Sequence, residues 1–311
     1  MRKVIGIGET VYDIIFKDGQ PIGAVPGGSV FNGIISLGRV GVNATFISET
    51  GDDRVGHGIV NFLKENNVNA DNVNIVQGSK SPISLAFLDE NNDAEYIFYK
   101  DHSNDRGEFV CPQVDKDDII MFGSYYSINS VIRPQVESFL KYAKSRGAIL
   151  YYDVNYRATH GHEVIKLMPN ILENFEYADI LRGSRDDFKI IFNLTDPEKI
   201  YQNRVAFYTK NFICTAGSEA VELKANGNIS KSYPTKKIAT VSTIGAGDNF
   251  NAGVVFGLIR YGITKHMLET GLNISLWDKV IDCACSFSSN VCQSLNNYIS
   301  NDFAETLKEK K

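Results

Sequence analysis

The sequence predicts an α/β fold: a mostly parallel sheet flanked by helices on both faces, with a small β-sheet lid. Apolar, β-rich runs alternate with helical patterns along most of the chain. Two stretches, 14–25 and 81–100, break that rhythm with strand patterns and no helix between them. The 311 residues contain no repeat, low-complexity tract or interdomain linker. One domain over 1–311 is therefore expected, with the lid formed by about 14–25 and 81–100.

The elements follow in order. Residues 4–8 read as the first strand and 30–39 as a helix that stops near Gly41. Residues 45–48 are a strand and 58–66 a helix. Later strands fall at 119–122, 149–154, 179–181 and 212–215. Helical patterns intervene at 135–145, 165–175 and 186–192. Such units are right-handed and build a parallel sheet. In the lid, 83–87 and 96–99 flank the turn-rich 89–93, a hairpin pattern. Residues 250–260 read as a buried helix. Trp277, Val280, Ile281, Ala284, Phe287 and Val291 share one face of the last long helix, which marks core packing.

Composition excludes several classes. The net charge is -5 with scattered acids, so neither a nucleic-acid stripe nor a polybasic membrane patch is indicated. Lys308, Lys310 and Lys311 read as a solvated tail. No apolar run approaches the roughly 20 residues that span a bilayer. Residues 1–6 enter a strand pattern directly, without a secretory layout. Five scattered cysteines point to a reduced cytoplasm. Cys283 and Cys285 suit core packing better than metal binding, and His160 with His162 lacks further ligands at metal spacing. No Gly-x-Ser-x-Gly elbow or Gly-Lys-Ser/Thr phosphate loop is present.

Four segments could carry chemistry. Ser242-Thr243-Ile244-Gly245-Ala246-Gly247-Asp248-Asn249-Phe250 is a small-residue loop entering a helix. Its backbone amides and the helix dipole attract an anion. Asp248 could act as a general base on a hydroxyl beside that anion, the arrangement needed to move a phosphoryl group to an alcohol. An ordinary strand-to-helix turn is the equal alternative. Gly27-Gly28 feeds a helix whose first turn holds Asn32. Asp13 follows the first strand, where ligands of open α/β sheets lie. Asp153-Val154-Asn155-Tyr156-Arg157 ends another strand, and its Asn155 and Arg157 suit a polar or anionic ligand. Turns and surface loops remain alternatives for these three. Val11 stands where a dinucleotide fingerprint needs its third glycine, which disfavours a dehydrogenase.

In this order the segments resemble the PfkB, or ribokinase-like, family of carbohydrate kinases over nearly the whole chain. Gly8-Glu9 with Asp13 looks like the sugar-contact opening. Gly27-Gly28, Asn32 and Gly51-Asp52-Asp53-Arg54-Val55-Gly56 look like the first signature. Asp153 to Arg157 resembles Asp-Pro-Asn-x-Arg, and Ser242 to Asp248 resembles Asp-Thr-x-Gly-Ala-Gly-Asp. The resemblance implies a ribokinase-like fold whose lid closes over a sugar. It implies ATP as phosphoryl donor and Mg²⁺ as its companion. Asp248 would deprotonate a primary hydroxyl, the amides of Gly245, Ala246 and Gly247 would hold the phosphoryl group, and Arg157 would approach phosphate. Asp13, Gly27, Gly28, Asn32, Tyr99, Lys100, Asn155 and Arg157 would contact substrate. Ser184 and Asp187 resemble an Asn-x-x-Glu element, with Asp187 organising the metal through water. Thr215, Gly217 and Asn290 would line the nucleotide pocket. Ala220 replaces a common glycine. Ser242 replaces the first Asp, which helps hold a monovalent cation, and the family's C-terminal Gly-Ala is missing near Asn296-Asn297. K⁺ activation is therefore not expected.

Within the family, Gly8-Glu9 and the Asp-x-Asn-x-Arg element look most like fructokinases. Fructose 6-phosphorylation is the expectation, with ribose, 2-keto-3-deoxygluconate and nucleosides as alternatives. Tyr96, Phe98, Tyr99, Lys100 and Asp101 on the lid would choose among them. A homodimer could form through the exposed lid strands. A non-catalytic sugar-binding homologue is the rival reading, and the presence of Asp248 disfavours it.

Overall fold

The computed structural model describes residues 2–90, 94–100 and 109–308. Turn positions 91–93, Asp101, Lys310 and Lys311 lie outside the described residues. The strands are β1 (Lys3–Ile7), β2 (Val11–Lys17), β3 (Gln20–Gly27), β4 (Asn43–Gly51), β5 (Val68–Asn69), β6 (Val73–Val76), β7 (Ile83–Leu88), β8 (Ala94–Tyr99), β9 (Ile119–Gly123), β10 (Ile149–Asp153), β11 (Ile180–Ser184), β12 (Phe212–Thr215), β13 (Ala220–Ala225) and β14 (Ile229–Pro234). The helices are α1 (Ser29–Arg39), α2 (Arg54–Glu65), α3 (Ser124–Ile128), α4 (Arg133–Ser145), α5 (Val164–Tyr177), α6 (Arg185–Phe192), α7 (Pro197–Ile200), α8 (Ala246–Arg260), α9 (Lys265–Thr270), α10 (Ile274–Val291) and α11 (Asn301–Lys308).

The main sheet runs β14-β13-β12-β11-β10-β9-β1-β4-β5, with β6 also paired to β4. Its pairs from β12 through β5 are parallel, and the β12–β13–β14 edge is antiparallel. Alternation along each strand sends side chains to opposite faces. Ile119, Met121, Ile149 and Tyr151 pack in the layer of α1, α8 and α10, while Ile120, Phe122, Leu150 and Tyr152 pack in the layer of α4 and α5. Both faces are thus covered, as the near-continuous apolar strands require. Helix α8 is buried from Asn249 to Leu258, so its first turn is held firmly at the edge of the sheet.

Bounds moved where caps decide them. Helix α2 starts at Arg54 rather than 58, because Asp53 accepts the Gly56 amide hydrogen at 2.8 Å. The β13–β14 hairpin was missed, since its exposed Lys, Glu and Ser residues dilute the apolar alternation.

The second sheet runs β3-β2-β7-β8. Its outer pairs are antiparallel, while β2 and β7 are parallel. It begins earlier than expected, so Asp13 sits within β2 rather than in the turn after β1. Asp13, Ser84 and Ala86 are buried, whereas Tyr12, Ile14, Leu85 and Phe87 at the alternate positions are half-exposed. Among the described residues, no helix is long and apolar enough to cross a membrane.

Candidate active site

The first turn of α8 is the centre of the cleft. Gly245 is its N-cap at φ 74, with no side-chain cap. A Cβ there would lie 2.7 Å from the Asn297 carbonyl oxygen. Dihedral and neighbour therefore both demand glycine. Of the three amides expected to hold an anion, that of Ala246 instead donates to the Thr243 carbonyl at 3.2 Å. The tightness of the turn causes this, and Gly245 and Gly247 flank the engaged amide. Asp248 is the third helical residue. Its Oδ1 accepts from Ser29 Oγ at 2.8 Å, and its Oδ2 from Asn32 Nδ2 at 2.8 Å. Withdrawal from water pushes its carboxyl up to about 6, with Asp153 adding to the rise and the two hydrogen bonds and Arg157 opposing it. A carboxylate poised near working pH, on movable side-chain donors, suits a general base.

Asp13 faces Asp248 from the lid. It accepts from Ser84 Oγ at 2.5 Å and from Asn297 Nδ2 at 3.1 Å, and burial pushes it up to about 6. A Cβ on Gly27 would stand 2.3 Å from Asp13 Oδ2, so only glycine leaves that carboxylate its place. Gly28 is the N-cap of α1 and aims Asn32 into the cleft. Asn32 Oδ1 and Asn155 Nδ2 are buried without a hydrogen-bond partner among the described residues. One is an unused acceptor and the other an unused donor, which fits hydroxyls of a bound polyol. The Arg157 guanidinium lies 4.6 Å over the Tyr96 ring, and its charge acts on Glu9, Asp13 and Asp248. Lys100 Nζ donates to Glu9 Oε2 at 2.7 Å. Burial raises the Glu9 carboxyl, but the charge and hydrogen bond of Lys100 outweigh it and hold the group below its ordinary value.

Tyr99 lies apart from this group. Alternation in β8 turns it and Ile97 away from the cleft, and it is 55% exposed. The cleft-facing aromatics are Tyr96 and Phe98, stacked with centroids 5.8 Å apart.

At the other end, Ser184 caps α6. Asp187 Oδ1 accepts from the Tyr156 amide at 2.7 Å, and Oδ2 from the Ser184 amide at 2.6 Å and hydroxyl at 2.8 Å. Burial pushes this carboxyl up to about 6, with Asp153 adding to it. These contacts close a capping box between Asp187 and Ser184, the N-cap of α6. Among the described residues, no group of three His, Cys, Asp or Glu could hold a metal. Thr215 Oγ1 accepts from Arg182 at 2.7 Å. Gly217 occupies an open turn at φ 54. Asn290 Oδ1 accepts the Ser300 amide hydrogen at 2.9 Å and so ties the C-terminal segment to α10. Ser242 is buried, and its Oγ accepts the Ile244 amide hydrogen at 3.2 Å.

Ser29, Ser84, Asn297 and Arg182 escaped the sequence reading. Arg182 alone left a readable signal: a charge inside the apolar strand Ile180-Leu181-Arg182, deep in a parallel sheet.

Comparisons with known proteins place the chain in a family. The model of the pfkB family carbohydrate kinases matches residues 1–294. The Arabidopsis thaliana protein named "Probable fructokinase-6, chloroplastic" is 28% identical over 265 residues, covering 81% of this chain and 69% of that one. A fructokinase double mutant from Vibrio cholerae, solved with fructose, ADP and potassium ion, superposes with a TM-score of 0.84 at 19% identity, covering 99% and 98% of the two chains. Aminoimidazole riboside kinase from Salmonella enterica, complexed with aminoimidazole riboside and an ATP analogue, superposes with a TM-score of 0.81 at 19% identity, covering 99% and 100%. These likenesses establish a ribokinase-like fold, and the family match over nearly all of its length makes the chain a member of the pfkB family of carbohydrate kinases.

Proposed function

We propose that this sugar kinase phosphorylates the primary 6-hydroxyl of fructose with ATP. The observation that carries the reading is the Asp248 carboxylate in the first turn of α8, facing Asp13 and Arg157 across one cleft. Asp13, Asn32, Asn155 and Arg157 hold the sugar so that its hydroxyl meets Asp248. Asp248 Oδ1 or Oδ2 takes the hydroxyl proton as that oxygen attacks the γ-phosphorus of ATP, whose bond to the β–γ bridging oxygen breaks to release ADP. Gly245, Gly247 and the α8 dipole stabilise the negative charge on the transferring group. The glycine turn at the helix start fits the phosphates of ATP. Ser184, Thr215, Gly217 and Asn290 stand on the nucleotide side. Mg²⁺ bound with ATP would neutralise phosphate charge, and Asp187 is the residue that would hold it, through water. The described residues offer it no direct ligand set, and no step here runs through it.

Fructose is favoured by the relatives' names and by the charge at the lid, where Lys100 is already spent on Glu9. Ribose, 2-keto-3-deoxygluconate and nucleosides are the alternatives. ATP-dependent turnover across a sugar panel decides: fructose should be fastest, and a faster rate on ribose or ketodeoxygluconate overturns the assignment. Asp248→Asn addresses the non-catalytic rival. Its kcat should fall by at least ~10²-fold while sugar binding persists.

Three further features belong to this reading. Residues 1–311 act as one domain, with a lid between about 11 and 27 and between about 83 and 99. The exposed Ile97 and Tyr99 suit pairing with the lid of a second copy, which sedimentation would detect as a dimer. The Ser242 hydroxyl supports the anion loop itself, so turnover should be the same with and without K⁺. Five free cysteines suit the cytoplasm.

A further inference from the structure

We propose that the buried Asp153–Arg182 ion pair is a positioning device for Asp248: it ties the start of α8 to the ends of three neighbouring strands and sets the charge that faces the base from below. The inference rests on Asp248 being the base.

Asp153 ends β10 and Arg182 lies in β11, with 2% and 7% exposure. Arg182 Nη1 donates to Asp153 Oδ1 at 2.9 Å, and Nη2 donates to Thr215 Oγ1 on β12 at 2.7 Å. Asp153 Oδ2 accepts from Asn251 Nδ2 at 2.7 Å, and Asn251 Oδ1 accepts from the Tyr151 hydroxyl at 2.8 Å. Asn251 follows Asp248 by three residues and shares its face of α8. The Arg182 guanidinium nitrogens lie 3.3 and 3.4 Å from where a Cβ on Gly247 would stand. The pair therefore touches the residue that precedes the base and grips the helix one turn later.

Stability does not explain the pair. Well-packed apolar residues of similar volume usually serve a buried position as well as an ion pair does. Its location explains it. Among the described residues, the charged or titratable groups facing Asp248 are Asp153 from β10, Arg157 from the segment after β10, Asp13 from β2 and Tyr96 from β8, while α1 contributes the neutral Ser29 and Asn32. Asp153 disfavours the ionised base, and Arg182, in contact with Asp153, offsets that repulsion.

The test is the pH dependence of kcat/KM for the sugar, measured on the full chain. Asp153→Asn should move the acid limb to lower pH by roughly half a unit to one unit, and Arg182→Gln should move it to higher pH by a similar amount. Arg182→Lys keeps the charge and loses the fork, so the limb should stay while kcat falls by about 10-fold. Limbs at the wild-type position in both charge-removing variants overturn the proposal. If either single variant fails to fold, the double variant Asp153→Asn/Arg182→Gln leaves no buried charge unpaired. It should keep the limb but lose about 10-fold in kcat, and a wild-type kcat overturns the positioning role. Asp248→Asn separates the two readings. Retained turnover there removes the base itself, whereas lost turnover with unmoved pair variants removes only the role of the pair.

Discussion

Helices α6 and α8 both start at the same edge of the main sheet, and both carry an aspartate as their third residue. Asp187 and Asp248 are both pushed by burial up to about 6. Their surroundings nevertheless diverge, and the N-cap decides it. Ser184 caps α6 and draws Asp187 back onto its own amide and hydroxyl, which closes a capping box. Gly245 caps α8, has no side chain to offer, and leaves Asp248 to the side chains of α1. Backbone donors fix one carboxylate in place. Hydroxyl and amide side chains at a cleft hold the other in a way that a substrate hydroxyl can displace. One residue at the cap thus separates an acid tied to backbone donors from one held by side chains.

Exchanging the two acids for amides breaks the comparison most strongly. Asp248→Asn should cost at least ~10²-fold in kcat, read by a coupled ADP assay. Asp187→Asn should leave kcat within about 3-fold. It should instead lower stability by about 1–3 kcal/mol in urea unfolding, because a buried amide hydrogen of Tyr156 or Ser184 loses its acceptor. A large kcat loss in Asp187→Asn with unchanged stability would tie that residue's charge to the nucleotide chemistry.

Gly245→Ala sharpens the same contrast at the cap. The φ of 74 and the nearby Asn297 carbonyl both oppose a Cβ. We expect about 1–2 kcal/mol of lost stability and a raised KM for ATP, with the sugar KM little changed. Equal rises in both KM values would show that the turn serves the whole cleft.

The pH dependence carries a sign that separates function from stability. Asp248 has a folded value of about 6, above the ordinary 3.8. The folded state therefore binds its proton more tightly, and this group's contribution to stability is lost as pH rises from about 4 to 6. Wild-type kcat/KM should rise over the same range as the base ionises. Asp248→Asn should match wild type in Tm below about pH 4 and exceed it above about pH 6. Calorimetry at pH 4 and pH 8 checks this, and a lower Tm for the variant at pH 8 contradicts it.

The parallel sheet and the α8 loop were legible because they rest on local signals: apolar runs, helical spacing and a dense cluster of small residues. The site's supports were not. Ser29 reaches Asp248 across 219 residues of sequence, Asn297 reaches Asp13 across 284, and Ser84 reaches Asp13 across 71. Each is a common polar residue whose partner only the topology supplies. Asp187 was ambiguous for the opposite reason. Its spacing from Ser184 fits both a capping box and the family's metal element, and the contacts show the capping box.

The lid yields the smallest expected effect, and it asks whether strand alternation overrides composition. Tyr96, Phe98 and Tyr99 are equally aromatic, yet period two puts Tyr99 on the opposite face from the others. Tyr96 underlies the Arg157 guanidinium at 4.6 Å, within the field of Asp13 and Asp248. Tyr96→Ala should therefore remove the platform of Arg157 and raise the sugar KM by about 10-fold, the scale of a desolvated cation–π contact with its packing. Tyr99→Ala touches nothing in the cleft and should change the sugar KM by less than about 2-fold. Steady-state kinetics at subunit concentrations well above and below any dimer dissociation midpoint make the comparison clean. If Tyr99→Ala raises KM only in the dilute sample, its outward face reaches the site through a second copy of the lid. If it raises KM equally at both concentrations, the register of β8 in solution differs from the one in which Ile83 pairs with Tyr99.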